Sequence, residues 1–94
     1  MYNDYVLDDS SSRYYTRDEL ESMSAEELAY ARNEIYARNG RMFQKDELQS
    51  YFDSQEWYDG TIPADQFNSE TMLSDVEYAN VLLIKDVEQS KGYL

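Results

Sequence analysis

The side chains best suited to act on another molecule cluster around Gly40. Arg38, Arg41 and Lys45 gather there, and Tyr30, Trp57 and Tyr58 flank them in the chain. Guanidinium groups beside aromatic faces can clamp a carboxylate and stack on a sugar ring or a peptide bond. Each group also has a plainer role. Cations favour a helix C-terminus because they complement its dipole. Aromatic residues at helical spacing usually fill space in a small domain. Trp57 and Tyr58 are neighbours, and in an extended segment they cannot both face inward, so one of them is the stronger surface candidate.

What is missing narrows the chemistry. The 94 residues contain no cysteine and no histidine. Disulfides, thiolate metal sites and the commonest general base are therefore absent. Carboxylates abound, and Glu26/Glu27, Asp46/Glu47 and Asp86/Glu88 read most simply as solvated faces. No apolar surround is evident that would raise the pKa of one member, as a glycosidase pair requires. Asp59-Gly60 lacks the ligand spacing of a calcium loop, and three glycines make no phosphate-binding loop. The pattern points to binding without catalysis, with no cofactor and no metal.

Charge sharpens the picture. Eight bases against 20 acids give a net charge of −12. Residues 24–43 are neutral while the other segments are acidic. Such a surface repels nucleic acid and anionic lipid. The longest apolar run, Val81-Leu-Leu-Ile84, is far too short to span a membrane. No signal peptide is visible, so these residues taken alone would reside in the cytosol, unless they form one domain of a longer exported protein.

The elements that must position these residues are helical. Thr16 with Glu19, Ser24 with Glu27 and Ser74 with Glu77 are capping-box pairs that set three helix starts. The second helix is expected over about Ala25–Asn39, with Leu28, Ala31 and Ile35 on its apolar stripe. Gly40 is its expected terminator, because glycine takes positive φ without a Cβ clash. A third helix is expected over about Lys45–Ser54, burying Leu48, Tyr51 and Phe52. The last runs from Ser74 to about Lys91, with Val76, Ala79, Asn80, Leu83, Ile84 and Val87 on one stripe. Residues 59–73 read as irregular, anchored by Phe67 and Leu73. The expectation is an all-α bundle of about four helices with an aromatic-rich core. Residues 1–15 are expected as a flexible N-terminal lead-in, ordered from about Tyr14, and residues 16–94 as the domain.

Asn80 inside an apolar stripe requires hydrogen-bond partners. Arg32 and Asn33 border the buried face of the second helix. Arg32, Asn33 and Asn80 are therefore expected to form an internal polar network that sets helix register.

The run Tyr36-Ala-Arg-Asn-Gly40 resembles the signature of the YARHG domain family. Ala31-Arg-Asn-Glu-Ile35, Phe43, Leu48-Gln-Ser-Tyr-Phe52, Trp57-Tyr58, Leu73-Ser-Asp-Val-Glu77, Asn80 and Leu83-Ile84 extend the likeness over roughly residues 18–90. Asn39 stands where the family name has histidine, so a role tied to an imidazole is lost. The resemblance implies an extracellular, non-catalytic domain carried by membrane-anchored or secreted bacterial proteins, often of Gram-positive lineages. It leaves the ligand undefined, and the surface setting is what points to a cell-wall component or a peptide. The expected binding face is Tyr30, Arg38, Arg41, Trp57 and Tyr58. The competing reading is an acidic cytosolic module of the nucleic-acid-mimic type that engages a basic partner.

Overall fold

A computed structural model describes residues 5–7 and 9–94. The described residues form five helices: α1 (Arg17–Glu21), α2 (Ala25–Arg38), α3 (Asp46–Asp53), α4 (Ser69–Met72) and α5 (Asp75–Ser90). A 3-10 turn lies at Ala64–Gln66. No strand occurs among the described residues, and one isolated parallel bridge joins Arg41 to Ile62. The protein is all-α.

All three expected capping boxes are present. Thr16, Ser24 and Ser74 each accept the N–H of a glutamate three residues on, and that glutamate accepts the N–H of its own cap. Reciprocal capping satisfies donors that the first helical turn leaves without partners. Gly40 follows α2 with φ of 90°, the left-handed conformation glycine tolerates. Its carbonyl accepts the N–H groups of Thr61 (3.0 Å) and Ile62 (2.9 Å), and Met42 N–H donates to the Ile62 carbonyl at 2.8 Å. The end of α2 is thus pinned to the segment after α3.

The core has two parts. In the first, α2 packs on α5 and α1 packs on α5. Leu20, Leu28, Ala31, Ile35, Leu73, Val81, Ile84 and Val87 fill this part together with Leu7 and Tyr15. In the second, Phe52 of α3 lies fully buried among Ala37 and Phe43, with Tyr36, Leu48, Tyr51, Trp57 and Tyr58 around it. Phe43 stacks on Phe52 at 5.0 Å between ring centroids, and Tyr51 meets Phe52 edge-on at 4.9 Å.

Two elements differ from expectation. The segment 59–73 contains the 3-10 turn and α4, the latter capped by the Asn68 side chain on Glu70 N–H at 2.9 Å. A four-residue helix is too short to show a hydrophobic period, so its sequence carries no stripe to read. The second difference concerns the lead-in. Residues 5–7 and 9–15 lie on the domain, with Leu7 and Tyr15 buried in the aliphatic core. Glu34 of α2, almost fully buried, accepts the N–H groups of Val6 (2.8 Å) and Leu7 (3.0 Å). Asn80 of α5 accepts from Tyr15 N–H at 2.9 Å and donates to the carbonyls of Ser10 and Arg13, both at 2.9 Å. These grips join residues at least 27 positions apart in the chain, so local pattern gives no sign of them. Tyr2 and Asp8, which belong to the same lead-in, lie outside the described residues.

Candidate functional site

One face of α2 carries Glu26, Ala29, Tyr30, Asn33 and Tyr36, spaced three and four residues apart. A cleft runs along that face. One end of it is a concavity of about 290 Å³ lined by Arg32, Asn33, Tyr36, Arg41, Ala64, Phe67 and Ser69. An adjoining hollow shares Arg32, Asn33 and Arg41 and adds Lys45 and Leu48. A third shares Arg32 and Asn33 and reaches Tyr30, Glu26 and Glu47.

The walls are set by the fold. The Gly40 turn brings Arg41 back beside Tyr36, with its guanidinium 5.4 Å from the Tyr36 ring and 4.9 Å from the Phe43 ring. Phe67 meets Tyr36 edge-on at 5.7 Å and forms the opposing aromatic side. Burial raises the Tyr36 pKa, and the positive charges of Arg32 and Arg41 oppose that rise. Arg32 is held by Glu88 of α5, through Nε to Oε1 at 2.8 Å and a second guanidinium N–H to Oε2 at 3.2 Å. Burial works against the Arg32 cation, but the Glu88 contact outweighs it and the pKa stays above its ordinary value. No carboxylate lies within ion-pair distance of Arg41 among the described residues.

The expected binding face divides. Arg38 turns to the N-terminal arm, donating to the Leu7 carbonyl and the Ser10 hydroxyl, both at 3.3 Å, with its guanidinium 4.1 Å above the Tyr5 ring. Trp57 packs against the same Tyr5 ring at 5.0 Å, and its buried indole N–H has no hydrogen-bond partner. Tyr58 is a strut: its hydroxyl donates to the Arg41 carbonyl at 2.8 Å. Tyr30 lies against Tyr51 at 4.5 Å and lines only the third hollow. Of the five residues, Arg41 alone lines the concavity beside Tyr36 and Phe67.

The expected polar network also divides. Asn80 serves the arm, Arg32 serves Glu88, and Asn33 donates its amide to the Ala29 carbonyl at 2.8 Å. Arg32 and Asn33 do share the cleft. Sequence reasoning missed Tyr36, Ala64 and Phe67 as cleft residues. The spacing of Asn33 and Tyr36 on one α2 face could have flagged the first of them. The described residues hold no grouping of acids that could bind a metal ion.

The architecture and its signature segment have a counterpart among known sequences. The model of the YARHG domain matches residues 3–89. The chain belongs to the YARHG domain family. No curated protein and no solved structure matches it. In this YARHG domain the signature run forms the last turn of α2 and the Gly40 stop. Asn39 takes the place of the histidine that names the family, and its amide donates to the Ile35 carbonyl at 2.9 Å and to Glu77 at 3.0 Å. The position thereby ties the end of α2 to the glutamate that caps α5. No helix of the described residues is long and apolar enough to cross a membrane.

Proposed function

We propose that this YARHG domain is a non-catalytic extracellular module that binds a carboxylate-bearing ligand, a cell-wall component or a peptide, in the α2 cleft. It would work as part of a longer anchored or secreted bacterial protein. Arg41 is the observation that carries the reading. Acids outnumber bases by 20 to eight, yet no described carboxylate pairs with this guanidinium. It stands over two aromatic rings in a concavity, where reduced access to water strengthens attraction for an anion. Asn33 and the Tyr36–Phe67 pair supply a polar contact and an apolar flank. The typically extracellular setting of the family supports the placement outside the cell.

The acidic cytosolic mimic is less well supported. Glu19, Glu27 and Glu77 are occupied as helix caps, and Glu34 and Glu88 are buried in internal contacts. That leaves fewer carboxylates to display to a basic partner than the net charge suggests.

Amide-resolved NMR titration with N-acetylglycine, and with N-acetylglycinamide as uncharged control, tests the site. The acid is expected to shift the signals of Asn33, Tyr36 and Arg41, with the amide far weaker and Arg41→Gln erasing the difference. Equal shifts from acid and amide in the unaltered protein would overturn the proposal.

A further inference from the structure

We infer that the cleft selects the carboxyl-terminal end of a peptide chain: a carboxylate held by Arg41 together with the adjacent amide N–H held by Asn33. This rests on the binding cleft proposed above and narrows its ligand to one pattern of donors and acceptors.

Asn33 carries the argument. It is only 8% exposed, yet it lines all three connected hollows of the α2 face. Its Nδ2 donates to the Ala29 carbonyl one turn back at 2.8 Å. That bond fixes which end of the amide faces out, because the flipped side chain would set Oδ1 against another acceptor. The cleft therefore sees Oδ1, and no described residue donates to it. Oδ1 is not a sealed, unsatisfied atom, so water reaches it from the cleft and a ligand N–H can take that water's place.

The second requirement comes from Arg41, whose planar fork of donors suits a carboxylate. The charge is suited to a monoanion. Glu88 already compensates Arg32, which leaves Arg41 as the uncompensated guanidinium of this hollow. A dianionic phosphate would be poorly matched there. A ligand must thus place a hydrogen-bond donor close to a single negative charge. The last residue of a peptide, or an N-acylated amino acid, has that arrangement, with N–H and carboxylate on one carbon. A free amino acid also offers N–H donors, but its ammonium group would face two guanidinium groups. The hollow at Arg41, about 290 Å³, is at the low end for ligand sites and suits one terminal residue, while the adjoining hollows leave room for the chain that precedes it.

Three probes decide the matter in the unaltered protein, the first two of equal size. N-acetylglycine carries both features. Acetoxyacetate keeps the carboxylate and replaces the amide N–H with an ester oxygen. Glycine keeps the carboxylate and replaces the amide with an ammonium. By NMR titration, N-acetylglycine is expected to bind about tenfold more tightly than acetoxyacetate, the ratio set by one unmatched polar contact, and more tightly than glycine. Asn33→Ala is expected to bring the first two probes to parity while Arg41→Gln weakens both. Equal affinity for the amide and the ester, or preference for glycine, would overturn this inference and leave the carboxylate site standing. Failure of every carboxylate probe to shift Asn33, Tyr36 or Arg41 would overturn both.

Discussion

The two parts of the core are both organised around α2 and treat polar groups in opposite ways. The aliphatic part, between α2 and α5, encloses Glu34, Asn80 and Glu88, and each has specific partners. The aromatic part, around Phe52, encloses few polar atoms, and one of them, the Trp57 indole N–H, has no partner. The difference follows from how each is assembled. Helices with an apolar stripe bring polar stripe residues inside, where each must be satisfied. Rings gathered from a short helix and loops fill space by area and by edge-to-face contact, with little demand for hydrogen bonds. The cleft lies where the two meet: Tyr36 packs against both parts, Phe67 against the aliphatic one, and the fixed amide and the Arg32–Glu88 pair lie beside them.

The comparison breaks most readily at Phe52. Phe52→Ala is expected to destabilise the fold by about 3–5 kcal/mol, the range for emptying a buried aromatic site. Urea unfolding followed by helix signal and by Trp57 fluorescence should keep a single shared midpoint. Separate midpoints would show that the two parts unfold independently. Asn80→Leu comes next. It strands the Tyr15 N–H and the carbonyls of Ser10 and Arg13, at an expected loss of about 2–4 kcal/mol. A folded variant of unchanged or higher melting temperature would remove the claim that the aliphatic part depends on this amide.

Smaller effects refine the contrast. Ser74→Ala should lower stability by about 1 kcal/mol in thermal melts, since it deletes one half of the α5 capping box. The pH response separates the parts further. Burial first, and then the bond to Asp9, pushes the Tyr15 pKa up to about 12. A raised pKa means stability that is full below pH 10 and lost as pH climbs towards 12. Tyr15→Phe should flatten part of that alkaline fall in melting temperature, while Tyr36 and Tyr58, also raised mainly by burial, preserve the rest. At the acid end the Tyr15 bond, then Arg13, lowers the Asp9 pKa, so its contribution stands above about pH 3.8 and fades below it. Least of all, Arg41→Gln should change stability by about 0.5 kcal/mol, because its side chain is part-exposed over two rings with no ion pair among the described residues, and its proposed work concerns a ligand.

The aliphatic part was largely legible in the chain. Cap residues and the 3.6-residue period placed α1, α2 and α5 to within a residue or two, and Asn80 announced itself as a polar residue in an apolar stripe. Val81 was not expected inside, because it lies at the margin of that stripe and the seating of α5 decides its burial. The aromatic part was legible in composition but not in arrangement. Trp57 and Tyr58 follow α3 without a period, so the sequence could not say that one would meet Tyr5 and the other brace Arg41. Of the cleft, Arg41, Lys45 and Tyr30 were anticipated, and the walls around Arg41 were not. Arg32 and Asn33 were expected to serve structure, and they do so while also forming the wall. Ala64 and Phe67 reach the cleft only through the long excursion between α3 and α4, a tertiary matter that no local rule encodes.

The hold on the N-terminal arm has a consequence for how this domain can vary. Asn80 and Glu34 clasp peptide groups rather than side chains. Ser11, Ser12 and Tyr14 project into solvent between those clasps. Replacement at these three sites should therefore leave the docking undisturbed, provided the backbone keeps its path, making this stretch a place where labels or charges can be written without disturbing the body beneath.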